Sequence, residues 1–241
     1  MIRMTPIVAL DVADLGQVTV LLEQLSVEPR PTIKVGMELF YHFGPAIVKQ
    51  IQQAGFSVFL DLKLHDIPNT VARTMKVIGE LGVQLTTIHA AGGAAMLEAG
   101  QRGLISGARS AGIEPAKLLA VTQLTSIDEY VLHEQQHVNI SLSESVQSYA
   151  RLSEAAGLPG VICSAQEVEL IRAVVAPSFL CITPGIRPVD AQQDDQKRIV
   201  TPTQARQLGS NGIVVGRPIT QSLDPRKAYQ QIATEFMEES K

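Results

Sequence analysis

Three charges of alternating sign, Asp61, Lys63 and Asp66, close an apolar run in residues 58–66. If 58–63 is a strand, its period of two puts Asp61 and Lys63 on one face and Leu60 and Leu62 on the other. An acid and a base then share one patch of interior surface, as at the edge of an active site. Asp66 comes three residues after Lys63, in the turn before a helix led by Pro68, so its carboxylate can reach beyond that patch. A lone Asp-x-Lys at a strand end is usually a surface ion pair contributing roughly 0 to 1 kcal/mol. Whether this pair does more depends on what the rest of the chain builds around it.

Short apolar or β-branched runs recur at 7–11, 32–36, 58–63, 84–90, 117–124, 160–164, 178–186 and 213–216. Between them lie stretches with helical spacing. Leu15, Val18, Leu21, Leu22 and Leu25 mark 14–25, and 37–54 is interrupted at Gly44 and Pro45. Residues 68–81 end at Gly82, an Ala-rich helix covers 93–110, and 143–156, 166–174 and 225–237 follow. Thr201 and Pro202 read as the cap and first residue of a further helix. The polar segment 128–141 is long enough for a lid or a short helix. Strand and helix alternate without hairpin signals, and the strands are too uniformly apolar to have a wet face, which implies a parallel sheet covered by helices. Eight such units in 241 residues predict a closed (β/α)8 barrel, an α/β TIM-barrel fold, forming one domain over 1–241; a doubly wound open sheet is the alternative.

In such barrels the active site lies at the C-terminal ends of the strands. Asp11, Lys34, Asp61, Lys63, Thr125, Arg187 and Arg217 all fall at or just beyond predicted strand ends, although far apart in sequence. Loops after the seventh and eighth strands commonly hold phosphate. Here they carry Arg187 and the pair Gly216 and Arg217: the glycine permits close approach of the backbone, and the guanidinium offers a bidentate fork. The polar loop 189–198 could close over a bound nucleotide, with the Gln196 amide bridging a phosphate oxygen and a base edge. Thr125 and Ser126 offer hydroxyls either to a neutral polar ligand group or to the cap of a helix. His65 and His89 read as structural histidines, and His42, His133 and His137 as solvent-facing ones.

Composition narrows the partners. A net charge of -4 leaves no basic stripe for nucleic acid, and no run approaches the length of a membrane span. Two cysteines, Cys163 and Cys181, lack neighbours at metal spacing and read as reduced thiols. The expectation is a cytoplasmic protein without a secretory signal.

The motifs DLKLHDIPNT at 61–70, PGIRP at 184–188, DQKR at 195–198 and VGRPIT at 215–220 together resemble the bacterial orotidine 5′-phosphate decarboxylases. The resemblance spans Asp11 to Thr220, and its first motif is specific as a ten-residue unit; the shorter Asp-x-Lys-x-x-Asp core is shared with a wider set of phosphosugar barrels. It implies that orotidine 5′-monophosphate is converted to UMP and CO2 in pyrimidine biosynthesis, without a metal or other cofactor. Lys63 is then the proton donor within a charge array of Lys34, Asp61, Lys63 and Asp66. It further implies a homodimer in which Asp66 and Thr70 enter the partner's site. Asp11 and Lys34 would bind ribose hydroxyls, Thr125 and Gln196 the pyrimidine and the loop end, and Arg187, Gly216 and Arg217 the phosphate. The competing expectation is a Mg2+-dependent phosphosugar decarboxylase or aldolase on the same barrel, drawing its ligands from Asp11, Glu38, Asp61 and Asp66.

Overall fold

The computed structural model describes residues 3–188 and 199–238. Eight parallel strands close into a barrel in sequence order: β1 (Ile7–Leu10), β2 (Thr32–Gly36), β3 (Val58–Leu64), β4 (Leu85–His89), β5 (Lys117–Val121), β6 (Gly160–Ile162), β7 (Leu180–Thr183) and β8 (Gly212–Val215). The helices are α1 (Leu15–Gln24), α2 (Met37–Phe43), α3 (Pro45–Gln53), α4 (Pro68–Glu80), α5 (Gly93–Ala111), α6 (Leu142–Ala155), α7 (Val168–Arg172), α8 (Pro202–Gln207), α9 (Arg217–Thr220) and α10 (Pro225–Met237).

Strand periodicity sorts the core into two layers. Ile7, Ala9, Phe59, Leu85, Leu119, Ile182 and Val214 point inward and fill the barrel. Val8, Ile33, Val35, Leu60, Leu118, Val161 and Val215 point outward and pack beneath the helices. Helix starts follow local chemistry: the Asp14 side chain accepts the Gln17 N–H, and Ser141 with Glu144 and Thr201 with Gln204 form reciprocal capping boxes. Gly44 and Pro45 divide α2 from α3, as the sequence predicts.

Several boundaries differ from expectation. β5 stops at Val121; the Thr122 N–H still donates to the Ile162 carbonyl of β6, and Gln123 and Leu124 go on to line the barrel mouth. β7 stops at Thr183, beyond which Ile186 makes a single bridge to Val200. The stretch expected as one helix over 166–174 is a 3-10 turn, Ala165–Glu167, running into α7. Within the polar segment 128–141, Val131–Gln135 forms one π-helical turn.

Two features bear on where Asp61, Lys63 and Asp66 stand. The first is a seam of glycines between α4 and α5: a Cβ at Gly103 or Gly107 would collide with the carbonyl oxygens of Ala72 and Lys76, so the two backbones lie in direct contact. This close packing holds α4 and the turn that precedes it. The second is an irregularity in β3, where Leu60 pairs with Thr86 but Leu64 pairs with Ile88, so four steps along β3 face two along β4. The residues left out of the ladder with β4 are Asp61, Leu62 and Lys63, although Asp61 stays paired with Gly36 of β2, and Lys63 takes a left-handed φ of 50°.

Candidate active site

Both charges of β3 stand at the C-terminal mouth of the barrel, Asp61 still paired with Gly36 of β2 and Lys63 within the irregular stretch facing β4. There they meet charges from the neighbouring strands. Lys63 Nζ donates to Asp61 Oδ2 at 2.8 Å, Lys34 Nζ from β2 stands 3.7 Å from the same oxygen, and Asp11 Oδ1, just past β1, lies 3.6 Å from Lys34 Nζ. The result is an unbroken row of alternating sign, Asp11, Lys34, Asp61, Lys63, running across three adjacent strands.

These four side chains line one wall of a cavity of about 250 Å3. Arg187, Arg217 and Gly216 line it from the loops after β7 and β8, and Thr125 and Gln123 from the loop after β5. Its floor is apolar, formed by Ala9, Phe59, Val121, Ile162 and Val214. A Cβ on Gly216 would come within 3.2 Å of Asp11 Oδ2, so a larger residue there would crowd the carboxylate end of the row.

Asp61 is the electrostatic centre. Burial pushes its carboxyl up, but the ammoniums of Lys34 and Lys63, with hydrogen bonds from Lys63 and Thr87, outweigh burial and hold it below the usual carboxylate range. The two histidines read as structural stack beside the row, their ring centroids 5.5 Å apart. Burial first, then the neighbouring His65 and Lys63, lowers the His89 pKa, so that ring is neutral at pH 7.

Asp66 and Thr70 stand apart from this cluster. The Asp66 carboxylate accepts the Ile67 N–H at 2.7 Å, both residues are exposed, and neither lines the cavity. Gln196 and the loop 189–198 lie outside the described residues. His133 is exposed, as expected, and sits 3.4 Å from Glu129. Cys163 and Cys181 are buried free thiols.

A family model described as orotidine 5′-phosphate decarboxylase / HUMPS family matches residues 4–232. The chain belongs to this family. It is 53% identical over 230 residues to the orotidine 5′-phosphate decarboxylase of Latilactobacillus sakei, covering 95% of this chain and 96% of that one. It is likewise 53% identical to the enzyme of the same name from Lactiplantibacillus plantarum, with coverage of 95% and 97%. A crystal structure of orotidine 5′-phosphate decarboxylase from Lactobacillus acidophilus superposes with a TM-score of 0.87 at 43% identity, covering 97% of this chain and 99% of that one.

One residue lining this decarboxylase-family cavity, Gln123, and one behind it, Thr87, escaped the sequence reading. Gln123, buried at the end of the β5 run, donates to Ser145 Oγ at 3.0 Å and so is held in the cavity wall by α6. Thr87, buried in β4, accepts the Lys63 backbone N–H and donates to Asp61 Oδ1, each at 2.9 Å. The available signal was the pair Thr86 and Thr87 inside an otherwise apolar strand, with Thr87 two residues before His89 and therefore on the same face.

Proposed function

We propose that the protein decarboxylates orotidine 5′-monophosphate to UMP, with Lys63 delivering the proton to C6. The observation that carries this reading is the Asp11–Lys34–Asp61–Lys63 row, which ends in an ammonium inside the same cavity as Arg187 and Arg217. When the C6–carboxylate bond breaks, CO2 leaves and the bonding electron pair stays on C6 as an sp2 carbanion with no adjacent carbonyl to delocalise it. An ammonium aimed at C6 stabilises that charge as it develops and then transfers a proton to the carbon; solvent returns a proton to Lys63. Asp61 fixes the direction of the ammonium through its 2.8 Å contact.

Charge balance supports the same substrate. The described lining holds four cations, Lys34, Lys63, Arg187 and Arg217, against two carboxylates, Asp11 and Asp61, an excess of two positive charges. The substrate brings one carboxylate and a phosphate of about −1.5 to −2 at pH 7. On this reading Arg187, Gly216, Arg217 and Gln196 take the phosphate end, Asp11 and Lys34 the ribose hydroxyls, and Thr125 the pyrimidine. Phosphate binding, remote from the reacting carbon, supplies energy that organises the charged row.

Asp66 and Thr70 belong, on the same reading, to the site of a second copy. Support comes from their exposure and from the exposed apolar side chains that follow the C-terminal ends of the adjacent strands β3 and β2: Ile67, Met37 and Tyr41 are 66%, 47% and 74% exposed. No described helix is long and apolar enough to cross a membrane. A reducing cytoplasm suits the buried free thiols Cys163 and Cys181.

The phosphosugar reading has the family description in its favour, but the geometry weighs against it. Of its four carboxylates, Asp11, Glu38 and Asp66 are exposed and only Asp61 is buried, and the Lys34 ammonium lies between Asp11 and Asp61, where a divalent cation would have to bind. The deciding experiment follows the ultraviolet absorbance of orotidine 5′-monophosphate in EDTA, with wild type beside Lys63→Ala. The proposal requires turnover by the wild type and near-complete loss in the variant. Absence of turnover in EDTA, with phosphosugar chemistry restored by Mg2+, would transfer the case to the rival.

A further inference from the structure

We propose that Thr87 is a positioning residue for this decarboxylation: its single hydroxyl clamps the Lys63 backbone and the Asp61 carboxylate together, and so aims the Lys63 ammonium. The inference rests on the reading above and goes beyond it by assigning a role to a residue outside the charged row. Its starting point is the bulge in β3. Where four steps of β3 face two of β4, the ladder cannot pair every backbone group, and threonine side chains of β4 take over. Thr86 Oγ1 donates to the Leu60 carbonyl at 2.9 Å, and Thr87 Oγ1 accepts the Lys63 N–H at 2.9 Å. Lys63 needs that anchor, because a φ of 50° is a conformation that L residues adopt only when their surroundings hold them there.

The same Thr87 hydroxyl uses its proton on Asp61 Oδ1, while Asp61 Oδ2 receives the Lys63 ammonium. Backbone anchor and side-chain anchor of Lys63 are therefore joined through one fully buried oxygen. A backbone shift at Lys63 would have to break the hydroxyl's bond to the N–H, and a rotation of Asp61 would have to break its bond to the carboxylate.

Removing the hydroxyl leaves Asp61 ionised at neutral pH, since Lys34 from β2 and Lys63 from β3 still face it; Asp11 stands beyond Lys34, and the neutral His89 ring flanks the cluster from β4. The loss is one of aim, so it falls on the chemical step while the phosphate contacts are untouched. Thr87→Val keeps the shape and removes the hydroxyl. Its single-turnover rate on orotidine 5′-monophosphate is expected to fall roughly 10- to 100-fold, the range set by losing a hydrogen bond to a charged group, with KM changed by less than about threefold. Thr87→Ser restores the rate to within about threefold. By carboxylate 13C NMR, Asp61 titrates at higher pH in Thr87→Val than in wild type. If the valine variant does not fold, Thr87→Ala carries the same expectations. A single-turnover rate within about twofold of wild type, or equal losses in the valine and serine variants, overturns the clamp. Failure of the wild type to turn over the nucleotide would instead overturn the proposed function, and the Asp61 titration still decides the clamp: an unshifted carboxyl refutes it.

Discussion

Replacing Asp61 with Asn removes the one anion that two ammoniums share. Its carboxylate oxygen lies 2.8 Å from Lys63 Nζ and 3.7 Å from Lys34 Nζ. At an effective dielectric near 20, those separations correspond to about 6 and about 4.5 kcal/mol before hydration is counted. Water entering the cavity mouth recovers much of this, and truncating one member of a buried ion pair leaves a net cost of about 3–5 kcal/mol. In a protein of this length the free enzyme should lose about 6–20 °C in Tm. Catalysis should suffer separately, because Lys63 no longer has a fixed direction: kcat on orotidine 5′-monophosphate is expected to fall at least about 100-fold.

The pH dependence of stability gives an independent check. The folded pKa of Asp61 lies below its ordinary value of 3.8, so its contribution to stability is complete above about pH 4 and is lost as pH falls through the folded value. Urea unfolding of wild type and Asp61→Asn should therefore differ by a constant amount from about pH 5 to 8, with the gap closing in more acid solution. An Asn variant that keeps kcat within about tenfold and shows no change in Tm would refute the view that Asp61 organises the row.

Other substitutions probe the remaining parts of the site and its frame. Arg217→Ala removes a fork suited to two charge-assisted hydrogen bonds, so kcat/KM should drop by about 10^2 to 10^4, with partial recovery in added guanidinium; near-wild-type kinetics would remove the phosphate assignment. Gly107→Ala drives a methyl into the Lys76 carbonyl across the seam between α4 and α5 and should cost about 1–3 kcal/mol of stability in urea, whereas an unchanged midpoint would mean that the seam can open freely. If, as proposed, two copies share each site, Lys63→Ala and Asp66→Ala should each be nearly inactive alone. Once subunits exchange, about half the dimers are mixed and carry one intact site of two, which restores roughly a quarter of wild-type activity. No recovery after demonstrated exchange would place Asp66 outside a partner's site.

Much of this molecule is legible locally. Near-continuous apolar runs in 7–10, 32–36 and 58–62 give strands buried on both faces, one in the barrel and one beneath the helices, and Gly44 with Pro45, Thr201 with Pro202, and Pro225 divide or start helices through their own backbone preferences. Those are short-range effects, which a chain carries wherever it goes. Because closed parallel barrels put all strand ends on one rim, the same reading also anticipated that Asp11, Lys34, Asp61, Lys63, Thr125, Arg187, Gly216 and Arg217 would converge, and in the structure they line one cavity.

What the sequence could not reveal depends on register between neighbouring strands. The bulge that turns Lys63 left-handed exists only because Leu64 pairs with Ile88 after Leu60 has paired with Thr86. Thr87 meets Asp61 across 26 positions of chain; periodicity within β3 and β4 gives the face each side chain takes but not that the two meet. Gln123 enters the wall because β5 ends at Val121, sooner than its apolar run suggests. Asp66, three residues from Lys63, is turned away from the row by the start of α4, whose position is set by glycines more than thirty residues further on in α5. Spacing along the chain determines which face a side chain takes within its own element. The distance between side chains on different elements is determined by how those elements pair and pack, and that is where the position of the Lys63 ammonium is decided.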